Sequence, residues 1–195
     1  EISLGLVGSE MCIETGLHIS WLFNFSGKPY LTQKWTRLIC DEFYGTNGEH
    51  GYGYGQDEDQ GQLGAWYVMA AMGLFDVQGG SCERPTFQIG SPLFDKIEIK
   101  LSPMNATENF VIETTGNTPD AYYVQSATLN GKPLEQCWLY RDELYKGGTL
   151  KLTMGNQPNE KWGGKIRLIV LNKQLIFLGV DLLDLSLIHI SEPTR

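Results

Sequence analysis

Hydrophobic residues follow a helical period in the first part of the chain. Within Lys28–Gly45, apolar side chains recur three or four residues apart, as they do along one side of an α-helix. They are Leu31, Trp35, Leu38, Ile39 and Phe43. Pro29 stands where proline is favoured in a first turn, and Gly45 follows as a stop signal. The pattern therefore predicts a helix over this segment.

Two neighbouring segments are also predicted to be helical. Leu17–Phe25 is apolar and aromatic, which is compatible with a buried helix. Gln62–Met72 is apolar on almost all sides, so we expect a buried helix that ends at Gly73. Between these helices, Thr46–Gln56 is rich in glycine and tyrosine and is predicted to be a loop.

Beyond Gly79-Gly80 the pattern changes to short runs, several of which alternate apolar and polar residues. The runs are FQIGSPLFDKIEIKL, NFVIETTG, AYYVQSATLNGKPL, GGTLKLTMG and GKIRLIVLN. Such alternation, punctuated by glycine turns, is typical of antiparallel strands. Asn130-Gly131 is the strongest hairpin signal. A helical block followed by a strand block predicts an α+β fold.

Composition and charge narrow the range of partners. The 195 residues are 42% hydrophobic, as in globular proteins, and carry a formal net charge of -8 at pH 7. Nucleic acids and anionic membranes attract basic surfaces, so the charge argues against both and suits a neutral or cationic ligand, or a bound cation. No apolar run approaches the roughly 20 residues that span a bilayer. The four cysteines form no CxxC pair, which argues against a zinc site. Two sequons, at Asn24 and Asn105, would matter only in a eukaryotic secretory pathway.

Three adjacent acids, Asp57, Glu58 and Asp59, stand between glycines just ahead of the third predicted helix. In a turning or extended backbone, Asp57 and Asp59 can face one side while Glu58 faces the other. Two carboxylates at one spot could hold a divalent cation, or one could raise the pKa of the other. The alternative is a helix N-terminus with solvated acids. Acids beside a buried helix are costly unless something binds them, which favours a site.

Five stretches of the chain resemble glycoside hydrolase family 92, the calcium-dependent exo-acting α-mannosidases. GQDEDQGQLGAWYVMAAMGLFDV is similar to the family's active-site segment. WLFNFSGKPYLTQKWTRLICDEFYG resembles one of its helices, and FQIGSPLFDKIEI, YYVQSATLNGKPL and GGTLKLTMGNQPNEKWG resemble its C-terminal strands. The resemblance covers roughly Val7–Gly164, and its colinear blocks are far more specific than one acidic motif.

The resemblance implies inverting hydrolysis of terminal α-mannosides in glycans, including N-glycan degradation. A general base activates the water that attacks the anomeric carbon, and an acid on the opposite face protonates the leaving oxygen. Carried over to this sequence, the catalytic carboxylates are Asp57 and Asp59, with Asp59 as the preferred base and a calcium ligand. Ca²⁺ would contact the mannose hydroxyls at C2 and C3 and help to distort the ring.

The upstream stretch IETGLHISW takes the place of the family's Asn-Glu-Pro…His segment. This implies that Glu14 lines the leaving-group subsite or the calcium shell, with His18 close to it as a second substrate-binding residue. The sequence departs from the family where Thr15 replaces the proline, which leaves the linkage preference open. Glu10 competes with Glu14 for the same role, and His18 is equally compatible with an ordinary interior histidine.

Family members are several times longer than this chain. The resemblance implies that residues 1–78 are the last helices of an (α/α)6 catalytic barrel with its active-site loop, and that residues 79–181 are the strand region. Residues 182–195 fit neither pattern and are predicted to be a non-native tail. The family's general acid lies upstream, so we expect the fragment alone to be inactive. The family also implies a secreted or periplasmic protein.

Two interpretations from other classes stay open on the residues alone. The strand block could be a non-catalytic carbohydrate-binding module, whose binding would survive replacement of Asp57 and Asp59. Alternatively, the acids could bind calcium only to stabilise a structural domain. The helical half that carries the acids argues against the first interpretation, and the family resemblance argues against both.

Overall fold

The computed structural model describes residues 13–42, 44, 61–101, 109–164, 169–171 and 174–176. Helices precede most strands in these residues, so the predicted α+β class is confirmed. The helices are α1 (Ile13–Leu22), α2 (Pro29–Glu42), α3 (Gln62–Ala71) and α4 (Arg141–Tyr145). The strands are β1 (Leu74–Phe75), β2 (Thr86–Ile89), β3 (Lys96–Ile99), β4 (Phe110–Thr115), β5 (Tyr123–Leu129), β6 (Lys132–Pro133), β7 (Trp138–Tyr140), β8 (Gly148–Gly155), β9 (Ile169–Leu171) and β10 (Gln174–Ile176). Among these residues no helix combines the length and apolarity that a membrane span requires.

The described strands form three sheets. β1, β2 and β7 make a three-stranded antiparallel sheet. β9 and β10 pair as an antiparallel two-stranded sheet. The largest sheet has five strands in the order β3-β4-β8-β5-β6. The three-stranded and five-stranded sheets share one core, because buried residues of both belong to the same hydrophobic cluster.

One pair in the five-stranded sheet is parallel, so the expectation of antiparallel strands is wrong for it. β4 lies beside β8 with Phe110 opposite Gly148 and Thr115 opposite Thr153. Parallel neighbours need a long crossover connection. The chain supplies one, because β5, β6, β7 and α4 all lie between β4 and β8 in sequence.

The predicted hairpin at Asn130-Gly131 is confirmed. Leu129 pairs with Lys132, which leaves a two-residue loop. Asn130 has a φ of 51° and Gly131 a φ of 77°, and positive φ at both central residues is the requirement of a type I′ turn. The Asn130 side chain also accepts a hydrogen bond from the Thr149 amide at 2.7 Å, which joins the turn to β8.

The alternation of apolar and polar residues is clearest in β8. Leu150, Leu152 and Met154 are buried, whereas Lys151 and Thr153 are exposed. Side chains of a strand point alternately to its two faces, so this strand gives one face to the core and the other to solvent.

Helix α2 begins at Pro29 as predicted and ends at Glu42; Gly45 lies outside the described residues. Its buried face is largely polar, whereas the apolar positions between Leu31 and Ile39 are only half-buried. After Pro29, which is also buried, the buried residues are Thr32, Gln33, Thr36, Arg37 and Cys40. Buried polar groups are stable when they are hydrogen-bonded, and Gln33 Oε1 accepts a bond from the amide of Val124 in β5 at 3.0 Å. Polar bonds therefore join this helix to the strand layer.

Helix α1 ends at Leu22, earlier than predicted, and Phe23–Phe25 lie in turns before α2. Asn24 in this connection is 1% exposed. Its Nδ2 donates to the backbone oxygens of Ile89 at 3.0 Å and Cys137 at 3.2 Å. The nitrogen that would carry a glycan at this sequon is thus buried and bonded, so a glycan at Asn24 is incompatible with this packing. The second sequon, at Asn105, lies outside the described residues.

Helix α3 is buried on one side only. Trp66, Ala70 and Ala71 are buried, but Val68 is 56% exposed, so the expectation of a helix buried on all sides is wrong for this chain. The helix stops where expected, because Gly73 adopts a φ of 72°, a left-handed conformation that favours glycine. The backbone then passes directly into β1.

Candidate functional site

The acidic segment lies between two helices that the structure describes. Asp57 and Asp59 themselves lie outside the described residues, so their predicted roles stay predictions. In sequence, α2 ends before this segment at Glu42, and α3 begins after it at Gln62. Gly61 has a φ of 76°, and its carbonyl accepts the first helical hydrogen bond from Ala65 at 3.0 Å. The positive end of α3 therefore lies at Gly61, where the described chain resumes after the acidic segment.

An aromatic stack supports the start of α3. The ring of Tyr44 stacks on Trp66, with centroids 5.6 Å apart, and on Tyr67, with centroids 5.0 Å apart. Trp66 is 2% exposed and is therefore a core residue. Burial raises the pKa of the Tyr67 phenol. The two chain ends that flank the acidic segment are thus in contact with each other.

His18 lies on α1 and is half-buried. Its ring meets Phe75 edge-on with centroids 5.5 Å apart, and Phe75 stacks on Trp21 at 5.3 Å. Glu14 lies one turn earlier in the same helix. The predicted pairing of Glu14 and His18 is compatible with this spacing, and their contact with substrate stays a prediction.

The cysteine of α2 is a buried thiol. Cys40 is buried beneath α3, and burial raises the pKa of its thiol to about 12, so it is protonated at neutral pH. Within the described ranges, no three His, Cys, Asp or Glu residues gather as a metal site would require. The predicted calcium ligand, Asp59, lies outside these ranges.

Buried polar residues that hold the helices against the strands were missed by sequence reasoning. Asn24, Gln33 and Arg37 are each at most 7% exposed. A signal was present, since Gln33 and Arg37 are four residues apart on one side of α2. The apolar positions of the helix alone do not reveal this polar side. Burial lowers the pKa of the Arg37 guanidinium, and Asp41 opposes this shift.

Comparison with a protein-family model decides the family of this chain. Residues 10–156 match the glycosyl hydrolase family 92 catalytic domain. The chain belongs to this family. The match includes the acidic segment, both of its flanking helices and most of the strand region of this family 92 chain.

Solved structures agree with this assignment. A family GH92 alpha-mannosidase from Bacteroides thetaiotaomicron is 30% identical, with a TM-score of 0.68, over 78% of this chain and 19% of its own. A family GH92 inverting mannosidase from Bacteroides thetaiotaomicron VPI-5482 is 37% identical, with a TM-score of 0.66, over 76% of this chain and 19% of its own.

A curated relative from Arthroderma benhamiae is described as an uncharacterized secreted glycosidase. It is 29% identical over 146 residues, which are 74% of this chain and 18% of the relative. The family 92 chain therefore spans less than a fifth of the length of each of these three proteins.

Proposed function

We propose that this family 92 chain is part of an inverting, calcium-dependent α-mannosidase that hydrolyses terminal α-mannosides of glycans. One observation carries the proposal: the family match over residues 10–156 includes the paired aspartates of the acidic segment. The identities of 30% and 37% to two mannosidases support the choice of sugar. The glycosidase assignment follows from the family. The specificity for mannose, the inverting stereochemistry and the dependence on calcium go beyond the family and are proposals.

In the proposed mechanism, Asp59 accepts a proton from water as the water oxygen bonds to the anomeric carbon. The bond from that carbon to the leaving oxygen breaks, and an acid from the rest of the parent protein protonates that oxygen. Asp57, two residues earlier, is proposed to orient Asp59 as a supporting carboxylate. Carboxylate oxygens suit Ca²⁺, so Asp59 is also the proposed ligand. When bound, the cation supplies positive charge that binds sugar hydroxyls and stabilises the oxocarbenium-like transition state.

The helices are proposed to belong to an (α/α)6 barrel completed by the rest of the parent protein. Two surfaces support this. Val68 leaves an apolar side of α3 exposed, and the apolar stripe of α2 is half-buried. Large apolar surfaces commonly mark contacts with other parts of a protein. Because the general acid is proposed to lie in the missing part, this fragment alone is expected to be inactive.

Glu14 and His18 are proposed to line the substrate site from α1. The half-buried position of His18 leaves part of its ring accessible, which supports a contact with the leaving group. A secreted or periplasmic location is proposed as well, in line with the description of the Arthroderma benhamiae relative as a secreted glycosidase.

Removal of calcium tests the metal proposal. Treatment of the full-length parent with a chelator is expected to lower kcat on an aryl α-mannoside by about 100-fold, because charge stabilisation at the transition state contributes several kcal/mol. Added Ca²⁺ should restore the rate. Melting curves recorded with and without chelator distinguish a catalytic cation from a cation that only stabilises the fold. Full activity after chelation, at any melting temperature, contradicts a catalytic role for calcium.

A further inference from the structure

The hairpin turn at Asn130-Gly131 carries the atoms of a spontaneous chemical modification. Asparagine is a thermolabile residue, because the backbone nitrogen that follows it can attack its side-chain carbonyl carbon. The attack is easiest when the next residue is glycine, which has no side chain to obstruct it and a permissive backbone. Both residues of this turn are exposed, and a Cβ at Gly131 would meet nothing within 4 Å. The turn is therefore open to water and to this reaction.

The modification is deamidation, which needs neither an enzyme nor an oxidant. The Gly131 nitrogen bonds to Cγ of Asn130, and the side-chain nitrogen leaves as ammonia with the proton of the Gly131 amide. Water then opens the five-membered imide at one of its two carbonyl carbons. One opening gives aspartate, and the other gives isoaspartate, in which the backbone runs through the former side-chain carbon.

The folded chain holds Asn130 in a position that opposes ring closure. Its amide donates to the Thr149 carbonyl at 2.8 Å, and its Oδ1 accepts a bond from the Thr149 amide at 2.7 Å. The side chain also packs against Gly148, since a Cβ at Gly148 would overlap Oδ1 and lie 2.7 Å from Cγ. To bond with Gly131, Cγ must leave this position. The contact with β8 must therefore open first.

We propose that Asn130 is a deamidation site that its contacts with Thr149 and Gly148 block in the native fold. Modification there occurs in chains in which the hairpin has separated from β8. Isoaspartate adds one atom to the backbone, so the two-residue loop no longer closes with Leu129 opposite Lys132. Each opening that ends in isoaspartate thus leaves a permanent change in the hairpin. The inference is independent of the catalytic roles proposed for this family 92 chain.

The first test compares the full-length parent in folded and denatured form, at the same mildly alkaline pH and temperature. Tandem mass spectrometry measures the conversion of Asn130 with time. We expect it to be at least about tenfold slower in the folded protein, the factor that corresponds to the loss of one or two ordinary hydrogen bonds. In the denatured sample, Asn47-Gly48, the other Asn-Gly dipeptide of this chain, gives the rate of an unprotected site. Equal rates for Asn130 in the two samples would overturn the proposal.

Gly148→Ala tests the contact itself. The added Cβ displaces the Asn130 side chain from Thr149, so conversion of Asn130 in the folded variant should be about fivefold faster than in wild type, as for the loss of one hydrogen bond. Gly79→Ala is the matched control. Gly79 also has a positive φ, 58°, but a Cβ there would meet nothing within 4 Å. Its Asn130 should convert at the wild-type rate.

Asn24→Asp separates the local contact from a general loss of stability, because Asn24 binds Ile89 and Cys137 and not the hairpin. Below its melting transition, this variant should convert Asn130 at the wild-type rate. A rise equal to that in Gly148→Ala would assign the effect to general destabilisation and contradict the proposal, as would an unchanged rate in folded Gly148→Ala. Should Gly148→Ala not fold, the comparison of folded and denatured wild type decides alone.

Discussion

Asp59→Asn in the full-length parent is expected to lower kcat on an aryl α-mannoside by about three orders of magnitude, the range lost with a general base. The amide cannot accept the proton of the attacking water, and it binds Ca²⁺ more weakly than a carboxylate. Asp57→Asn should lower kcat by about 100-fold, because Asp57 acts through Asp59. Steady-state kinetics on purified variants, with circular dichroism to verify folding, measure both effects.

Glu58→Gln is the matched control for these variants. It removes one charge from the same segment, but the alternation of side chains predicts that Glu58 faces away from Asp57 and Asp59. Its kcat should lie within about threefold of wild type. Equal losses in Glu58→Gln and Asp59→Asn would mean that the segment acts through its total charge, and the assignment of Asp59 as the base would be wrong.

Asn24→Asp is expected to be strongly destabilising. The substitution replaces a buried donor by a carboxylate that faces the carbonyl oxygens of Ile89 and Cys137, at 3.0 Å and 3.2 Å in the present structure. We expect a loss of about 3 kcal/mol or more in the free energy of unfolding, since a buried charge loses its hydration without gaining a partner. At about 2–4 °C per kcal/mol, the first melting transition of the parent should fall by roughly 6 °C or more.

The loss of stability in Asn24→Asp should depend on pH and should be larger at higher pH. Burial beside two carbonyl oxygens raises the folded-state pKa of the introduced carboxyl above its unfolded value of about 3.9. Below about pH 4 the carboxyl is protonated in both states and can donate one hydrogen bond, so the destabilisation is smallest there. It should grow as the pH rises through the folded-state pKa. Melting curves at pH 4 and pH 7 measure the difference.

Asn156→Asp is the control for the replacement of asparagine by aspartate in itself, because Asn156 is exposed in the turn after β8. Its melting temperature should stay within about 1–2 °C of wild type at both pH values, as for other surface substitutions. If Asn24→Asp behaves like Asn156→Asp, the Asn24 amide does not join the helices to the sheet.

Local rules predicted several elements because each depends on residues near in sequence. Pro29 starts α2 since proline suits a first turn, and Asn130-Gly131 makes a type I′ turn since both residues tolerate positive φ. The alternation of apolar and polar residues in β8 predicts a strand with one buried face and one exposed face. β1, β7 and α4 were not predicted, because two to five residues are too few to display a period.

Features that depend on distant partners were not predictable from local pattern. The polar side of α2 is buried because Gln33 and Arg37 find partners 91 and 55 residues away, in Val124 and Pro92. The parallel pairing of β4 and β8 likewise joins strands that are far apart in sequence, so no local pattern predicts it. In the candidate site, the acidic residues were predicted from their residue type and from the family resemblance. The contacts of Arg37 could be found only in the folded structure.

The most direct test follows the anomer of mannose that the full-length parent releases from an aryl α-mannoside, by proton NMR during the first minutes of reaction. We predict β-mannose first, with α-mannose appearing only as the sugar mutarotates, because a water activated by Asp59 attacks the face opposite the leaving oxygen. Initial formation of α-mannose, or no release of mannose by the folded, calcium-loaded protein, would contradict the proposed function.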